Sequence, residues 1–189
     1  MVNQLMLKWN FEVIADIGVS APSFSVLSAE NLDITLVSGK SIVEFSTPDL
    51  GEIVIDYYSK TESDTIVDQN GKIIGDTQWR ITKIWCDDIL LESWFLHDCL
   101  YEPRYFSGFL EIQPDAPAKI LSPYQFNFPG ILNWKWESGN FWEWYRLERT
   151  RRVHLDNMDI DLHRWEKFVG SPELYPELVA EIKELIHGT

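Results

Sequence analysis

Cys86, Asp87, Asp88, His97, Asp98 and Cys99 bring metal-capable atoms into the short stretch "CDDILLESWFLHDC". Zinc takes sulfur and nitrogen ligands from closely paired Cys or His units. Here the cysteines stand far apart, and only His97 and Cys99 are near neighbours, so zinc is disfavoured. Calcium takes several oxygens from converging loops. Asp87 and Asp88 are the candidate pair for calcium, but no D-x-D-x-D-G loop surrounds them. The plainer reading is a tight turn, then a short buried strand flanked by two reduced cysteines.

Catalytic constellations are sparse. Glycoside hydrolysis needs two carboxyl groups flanking one sugar-sized cleft, and 30 acidic residues make chance pairs inevitable. The chain has no G-x-S-x-G elbow, P-loop, G-x-G-x-x-G or H-E-x-x-H. "DID" (Asp159, Asp161) has the D-x-D spacing of some metal-binding transferases. It opens an apparent helix, where acids are favoured by the dipole alone. Cys99 with a distant histidine could form a nucleophile pair, but His154 and His163 read as helix-proximal surface or satisfied core residues. No catalytic residue is assigned, and no motif supports an enzyme.

Binding chemistry is better represented. "YQFNFPGILNWKWESGNFWEWYRLE" holds four of the nine tryptophans. On a strand, Trp134 and Trp136 share one face of "LNWKW". In "NFWEWYR" an extended chain pairs Trp142 with Trp144, whereas a helix aligns Phe141, Tyr145 and Glu148. Trp134, Trp136, Trp142, Trp144 and Tyr145 are the candidate ligand- or partner-binding residues. Three readings stay open: a core, since large aromatics mostly bury; a protein anchor; or a flat platform for a glycan. Next to them "RLERTRR" gathers Arg146, Arg149, Arg151 and Arg152 into a basic interface patch.

The elements that must position these groups are mostly strands. "LMLKWNFEV" alternates cleanly, with Leu5, Leu7, Trp9, Phe11 and Val13 on one face. "LDITLV" alternates again, "VSGKSIV" reads as a hairpin turning at Gly39, and "EIVIDYY" resumes strand. "VDQNGKII" is the clearest hairpin, with Asn70-Gly71 suited to a type I′ turn. "QWRITKIW" alternates through Trp79, Ile81, Lys83 and Trp85. Further strands are expected at "ILLESWFL", "SGFLEIQ", "YQFNF" and "LNWKW". Helix comes late, in "NMDIDLHRWEKFVG" and "PELYPELVAEIKELIHG", the latter with Leu174, Leu178, Ile182 and Leu185 on one stripe. Many short strands with no βαβ alternation predict an antiparallel, jelly-roll-like β-sandwich closed by a C-terminal pair of short α-helices. The expected layout is a sandwich over residues 1–150 with a helical cap, 151–189, packed on it as one globular unit.

Charge narrows the partners. Thirty acids against 16 bases give a net charge of −14. Nucleic acid and anionic membrane surfaces need clustered cations and are excluded as main partners. A basic protein would be attracted, which allows an acidic immunity-type inhibitor. No apolar run reaches the length of a membrane span, and the N-terminal stretch lacks a leader's charged and apolar regions. Cytoplasmic synthesis is therefore expected.

The order "WRITKIWCDDILLESWFL", then "YEPRYFSG", then "YQFNFPGILNWKW…FWEWY" resembles jelly-roll-like β-sandwich modules of tailed-phage virion proteins and carbohydrate-binding modules. The likeness covers roughly residues 78–146. It implies a non-catalytic acidic module that serves in a virion or attaches to a glycan, and it assigns no site residues. The expected function is a structural or adaptor protein acting through protein interfaces, as a phage neck, tail or capsid-associated component. A carbohydrate-binding module with exposed tryptophans and an acidic inhibitor are the alternatives. Protein partners or further copies of the chain are expected, with a glycan as the other partner class. No cofactor is expected apart from calcium at Asp87 and Asp88.

Overall fold

The structure, a computed structural model, describes residues 5–70, 72–121, 123, 125–136 and 140–157. In chain order the strands begin with β1 (Met6–Asp16), β2 (Ser23–Val26), β3 (Leu32–Thr35), β4 (Gly39–Pro48) and β5 (Glu52–Tyr57). They continue with β6 (Thr65–Val67), β7 (Ile73–Asp76), β8 (Gln78–Cys86), β9 (Ile89–Leu90) and β10 (Cys99–Pro103). Helix α1 (Ser107–Ile112) precedes β11 (Ile120–Leu121) and β12 (Gly130–Lys135), and α2 (Phe141–Asn157) follows. The chain divides into two compact units, Met1–Gly139 and Asn140–Thr189.

The first unit is an antiparallel β-sandwich. One sheet runs β4-β1-β8-β9 and the other β11-β10-β12-β5-β2-β3, while β6 and β7 form a separate two-stranded ribbon. The alternation of β1 does what the sequence predicts: Leu7, Trp9, Phe11, Val13 and Ala15 are buried. They meet Ile53, Ile55 and Tyr57 of β5, and Leu132 and Trp134 of β12, in a shared core. Aromatic rings bridge the layers. Trp134 meets Phe11 edge-on at 5.7 Å and lies parallel to Phe95 at 6.0 Å. Trp79 is stacked between Phe24 at 4.8 Å and Phe126 at 4.3 Å, and meets Tyr57 edge-on.

Gly130 shows how closely the strands must pass. A Cβ there would sit 2.5 Å from the Glu102 carbonyl oxygen and 2.7 Å from the Tyr101 ring. Only a hydrogen in that place lets β12 lie against β10.

Several expectations change. Gly39 has the positive φ of +89° expected of it. "VSGKSIV", however, is not a hairpin: β3 pairs with β2 and β4 with β1, so this segment crosses between sheets. The phase of β8 flips midway. Glu12 pairs with Lys83 and Val13 with Ile81, leaving Thr82 as a bulge, so Trp79, Ile84 and Cys86 are buried while Trp85 is only half-buried. The Thr82 hydroxyl bonds the Glu12 carbonyl and carboxylate at 3.1 and 2.8 Å, compensating the break.

"SGFLEIQ" is helix α1, not strand. Its N–H groups find carbonyls within the segment, Leu110 to Phe106 at 3.2 Å and Gln113 to Phe109 at 2.8 Å. Short apolar runs are ambiguous between the two states, and partners decide. "YQFNF" contributes only an isolated bridge from Phe126 to Trp79. "ILLESWFL" gives the two-residue β9 and then a 3-10 turn, Ser93–His97. "FWEWYRLERTRR" takes the helical option as the start of α2, with Phe141 and Tyr145 buried. The two later helices expected from the sequence lie outside the described residues.

Candidate functional site

A cleft of about 300 Å³ opens where the β6–β7 ribbon, α1 and the loop before β12 converge. That volume is at the lower end for small-molecule sites. Phe106, Phe109 and Phe128 form its aromatic side, and Lys60, Glu62, Thr65, Asp76 and Asn127 supply polar groups. Ile73 stands at the rim and is exposed.

The polar floor is built from short-range rules. Thr61 and Asp64 make a reciprocal capping box around the 3-10 turn Glu62–Asp64. Both Asp64 oxygens are engaged, one by the N–H groups and hydroxyls of Ser20 and the other by those of Thr61. Burial pushes the Asp64 carboxyl up, but these donors together outweigh it and hold the group below the ordinary carboxylate range. The Thr77 hydroxyl accepts the Gly18 N–H at 3.0 Å and donates to the Ser20 carbonyl at 3.0 Å. The base of the ribbon is thus fastened to the loop after β1.

On this base sits Lys60, whose side chain is only 2% exposed. Its ammonium lies 2.6 Å from Asp76 Oδ1, which also accepts the Thr65 hydroxyl at 2.7 Å. The same ammonium sits 5.8 Å from the centre of the Phe128 ring. A buried ammonium is costly without an opposite charge, and carboxylate and ring provide the compensation. Glu62 Oε1 accepts the Gly108 N–H at 3.3 Å, tethering the start of α1.

The aromatic side is cohesive and half-open. Phe109 lies 4.7 Å from Phe128, Tyr105 is stacked on Phe109 at 5.2 Å, and Phe106 is 5.7 Å from Phe128. The Tyr105 hydroxyl donates to the Pro117 carbonyl at 3.0 Å, and burial pushes its pKa above the usual tyrosine range. All four rings are half-buried.

The residues singled out in the sequence lie elsewhere. Trp134 and Trp136 are buried at 2% and 4% exposure, so neither presents a ring face to solvent. Their indole N–H groups donate to the Phe95 carbonyl and to Asp49 Oδ1, each at 3.1 Å. Trp142, Trp144 and Tyr145 lie on α2. The two tryptophans are half-buried, and Tyr145 is buried and stacked on Phe141 at 5.8 Å. The basic patch divides: Arg146 and Arg149 are exposed, while Arg151 and Arg152 turn toward Glu148 at 2.6 and 3.8 Å.

Asp87 and Asp88 form the expected tight turn, with φ of +49° and +65° as a type I′ turn requires. Asp87 Oδ1 accepts the Lys8 N–H at 2.9 Å, and Asp88 Oδ1 lies 3.7 Å from the Lys8 ammonium. Among the described residues no three His, Cys, Asp or Glu side chains gather around a common point. Cys86 and Cys99 are buried thiols, and burial pushes the Cys99 thiol up to about 12. His97 closes a 3-10 turn and His154 lies on α2. Asp159, Asp161 and His163 fall outside the described residues. Among those described, no helix is long and apolar enough to cross a membrane.

The cleft itself was not visible as a motif. Its parts come from segments separated by up to 68 positions in the chain, Lys60 to Phe128. One signal was present, the aromatic loop "YEPRYFSG", which supplies Phe106 directly and runs into Phe109.

No protein-family model matches the chain, and no curated protein matches it. Among solved structures it is similar to a vCBM60 in complex with galactobiose, at 9% identity and a TM-score of 0.39, over 68% of this chain and 97% of that one. It is likewise similar to a selenomethionine form of vCBM60, described with a circular permutation linking two families of calcium-dependent carbohydrate-binding modules. That match has 7% identity and a TM-score of 0.42, over 68% of this chain and 90% of the other.

Proposed function

We infer that the chain is a non-catalytic binding module whose cleft receives a saccharide unit. One observation carries this reading: the half-buried phenyl rings of Phe106, Phe109 and Phe128 line one cleft together with Lys60, Glu62, Asp76 and Asn127. A pyranose ring has one apolar face and an edge of hydroxyls, and needs both kinds of surface at once. The cleft carboxylates favour binding over catalysis. Asp76 is held by Lys60 and Thr65, and Glu62 by the Gly108 N–H. Phe109→Ala should weaken binding at least ten-fold for the best saccharide found on a glycan array, with the fold retained. Unchanged affinity in a folded variant would refute this placement.

A protein-docking role, including the virion role implied by the sequence resemblance, draws support from a different feature. Ile66, Val67, Ile73 and Ile74 of the ribbon and Leu110 and Ile112 of α1 are exposed. Exposed apolar side chains on an unprotected two-stranded edge suit association. Concentration-dependent light scattering separates this role, because Ile74→Lys should dissociate any assembly without altering saccharide affinity.

A further inference from the structure

We propose that the cleft selects an uncharged sugar presenting two neighbouring hydroxyls, gripped by the Lys60–Asp76 pair. The proposal rests on the saccharide reading above and names the ligand class within it. Three observations carry it.

The first is the state of the pair. Asp76 Oδ1 receives Lys60 and Thr65, Oδ2 takes no hydrogen bond from the described residues, and both Lys60 and Asp76 line the cleft. Lys60 has three N–H donors and directs one at Asp76. A donor and an acceptor side by side match a vicinal diol, in which one hydroxyl accepts from the ammonium while its neighbour donates to the carboxylate. A single hydroxyl, or its methyl ether, satisfies only half of this arrangement. A buried polar site built to bond a hydroxyl discriminates strongly against an analogue that lacks it.

The second is charge. Lys60 and Asp76 cancel, and Glu62 at the same cleft leaves an excess negative charge on a chain already at −14. A uronate or sulfated sugar brings a like charge to that wall.

The third excludes the opposite ligand. Aromatic rings beside a carboxylate also make cages for ammonium groups. Here Lys60 already places its own cation 5.8 Å from the centre of the Phe128 ring. A second cation would face that ammonium within the same small cleft.

The test uses the intact chain in calorimetry against neutral gluco-, manno-, galacto- and xylo-oligosaccharides. The matching uronate oligosaccharides, the O-methylated neutral sugars and tetramethylammonium complete the panel. The expected result is binding to at least one neutral series, ten-fold or more weaker for its uronate and its O-methylated form, with little change between low and high salt. Tetramethylammonium should not compete. Lys60→Met should lower affinity for the neutral sugar at least ten-fold.

Equal or tighter binding of the uronate or the methylated sugar overturns the diol proposal and leaves the saccharide reading standing. So does a folded Lys60→Met protein that binds normally. If Lys60→Met does not fold, the wild-type panel decides alone. Failure of every saccharide, charged or neutral, overturns both the proposal and the reading beneath it.

Discussion

The sandwich core and the cleft are both aromatic, yet they are built from different rings in different states. In the core, Trp9, Phe95 and Trp134 stack nearly parallel, with interplanar angles of 11° and 5°, and all three are essentially inaccessible. Each indole N–H has a partner: Trp9 donates to the Thr47 hydroxyl at 3.0 Å and Trp134 to the Phe95 carbonyl at 3.1 Å. In the cleft, phenylalanines replace tryptophans and remain half-open. Phenylalanine has no polar atom to satisfy, so it can line an open surface without an obligatory partner. Trp9, Trp79, Trp134 and Trp136 therefore mark the sandwich interior, while no tryptophan lines the cleft.

The largest expected effect tests that division. Trp134→Ala removes an enclosed ring and one donor to the Phe95 carbonyl, which keeps the Asp98 N–H at 3.3 Å. Large-to-small changes of this kind cost about 3–5 kcal/mol. Denaturant unfolding should show a loss of that size, and saccharide affinity should stay intact in whatever fraction is folded. A loss below about 1 kcal/mol would mean that the ring is not part of the interior.

Next in size is the charged floor of the cleft, where the two partners are not equivalent. Lys60 is 2% exposed and Asp76 18%. Removing the carboxylate strands the more enclosed charge, so Asp76→Leu should cost about 3 kcal/mol. Lys60→Met strands a carboxylate that can still reach water and keeps the Thr65 hydroxyl, at about 2 kcal/mol. Equal losses, or a larger one for Lys60→Met, would show that the pair is less enclosed than its exposures imply.

Much of the sandwich was legible because burial writes itself into alternation. The run from Leu7 to Ala15 needs no tertiary information, since each inward residue is apolar and most outward ones are not. Legibility failed where the deciding contact was distant. The phase flip in β8 depends on Thr82 being accommodated against Glu12, 70 positions away. "VSGKSIV" contains the glycine of a hairpin, yet its flanking strands find better partners in opposite sheets. Asp87 and Asp88 were correctly placed in a turn, because adjacent aspartates tolerate left-handed backbone. The cleft was least legible. Lys60 has no sequence signature of burial, and only the fold brings Asp76 to it.

A smaller effect appears in acid. The Asp64 carboxyl is held below its ordinary range in the folded protein, despite burial acting the other way. A depressed folded value contributes stability that is fully present above the unfolded value, near pH 4, and disappears as pH falls through the folded value. Wild-type protein should therefore lose melting temperature below about pH 4. Asp64→Asn should start lower at neutral pH and lose less between pH 5 and pH 2. Parallel pH profiles for the two proteins would place the acid-sensitive group elsewhere, and Glu12, whose carboxyl is also held low by Lys40 and Thr82, is the next to replace.

The finest comparison sets one ring pair against the other. Phe109→Ala opens an already half-open wall and leaves no sealed cavity, so its stability cost should be about 1 kcal/mol, well under that of Trp134→Ala. Double-mutant cycles isolate the ring–ring part. Phe95 and Trp134 lie 6.0 Å apart and parallel; Phe109 and Phe128 lie 4.7 Å apart and tilted by 55°. Aromatic pairs contribute about 0.5–1.5 kcal/mol beyond their buried area. Proximity would rank the cleft pair higher, whereas exclusion of water would rank the core pair higher. The core pair should show the larger coupling, because its contacts have no solvent to replace them when one ring is removed, whereas the vacated side of Phe128 rehydrates. A larger coupling for Phe109 and Phe128 would mean that the cleft rings form a rigid wall in the free protein, and that a saccharide meets a surface already set to receive it.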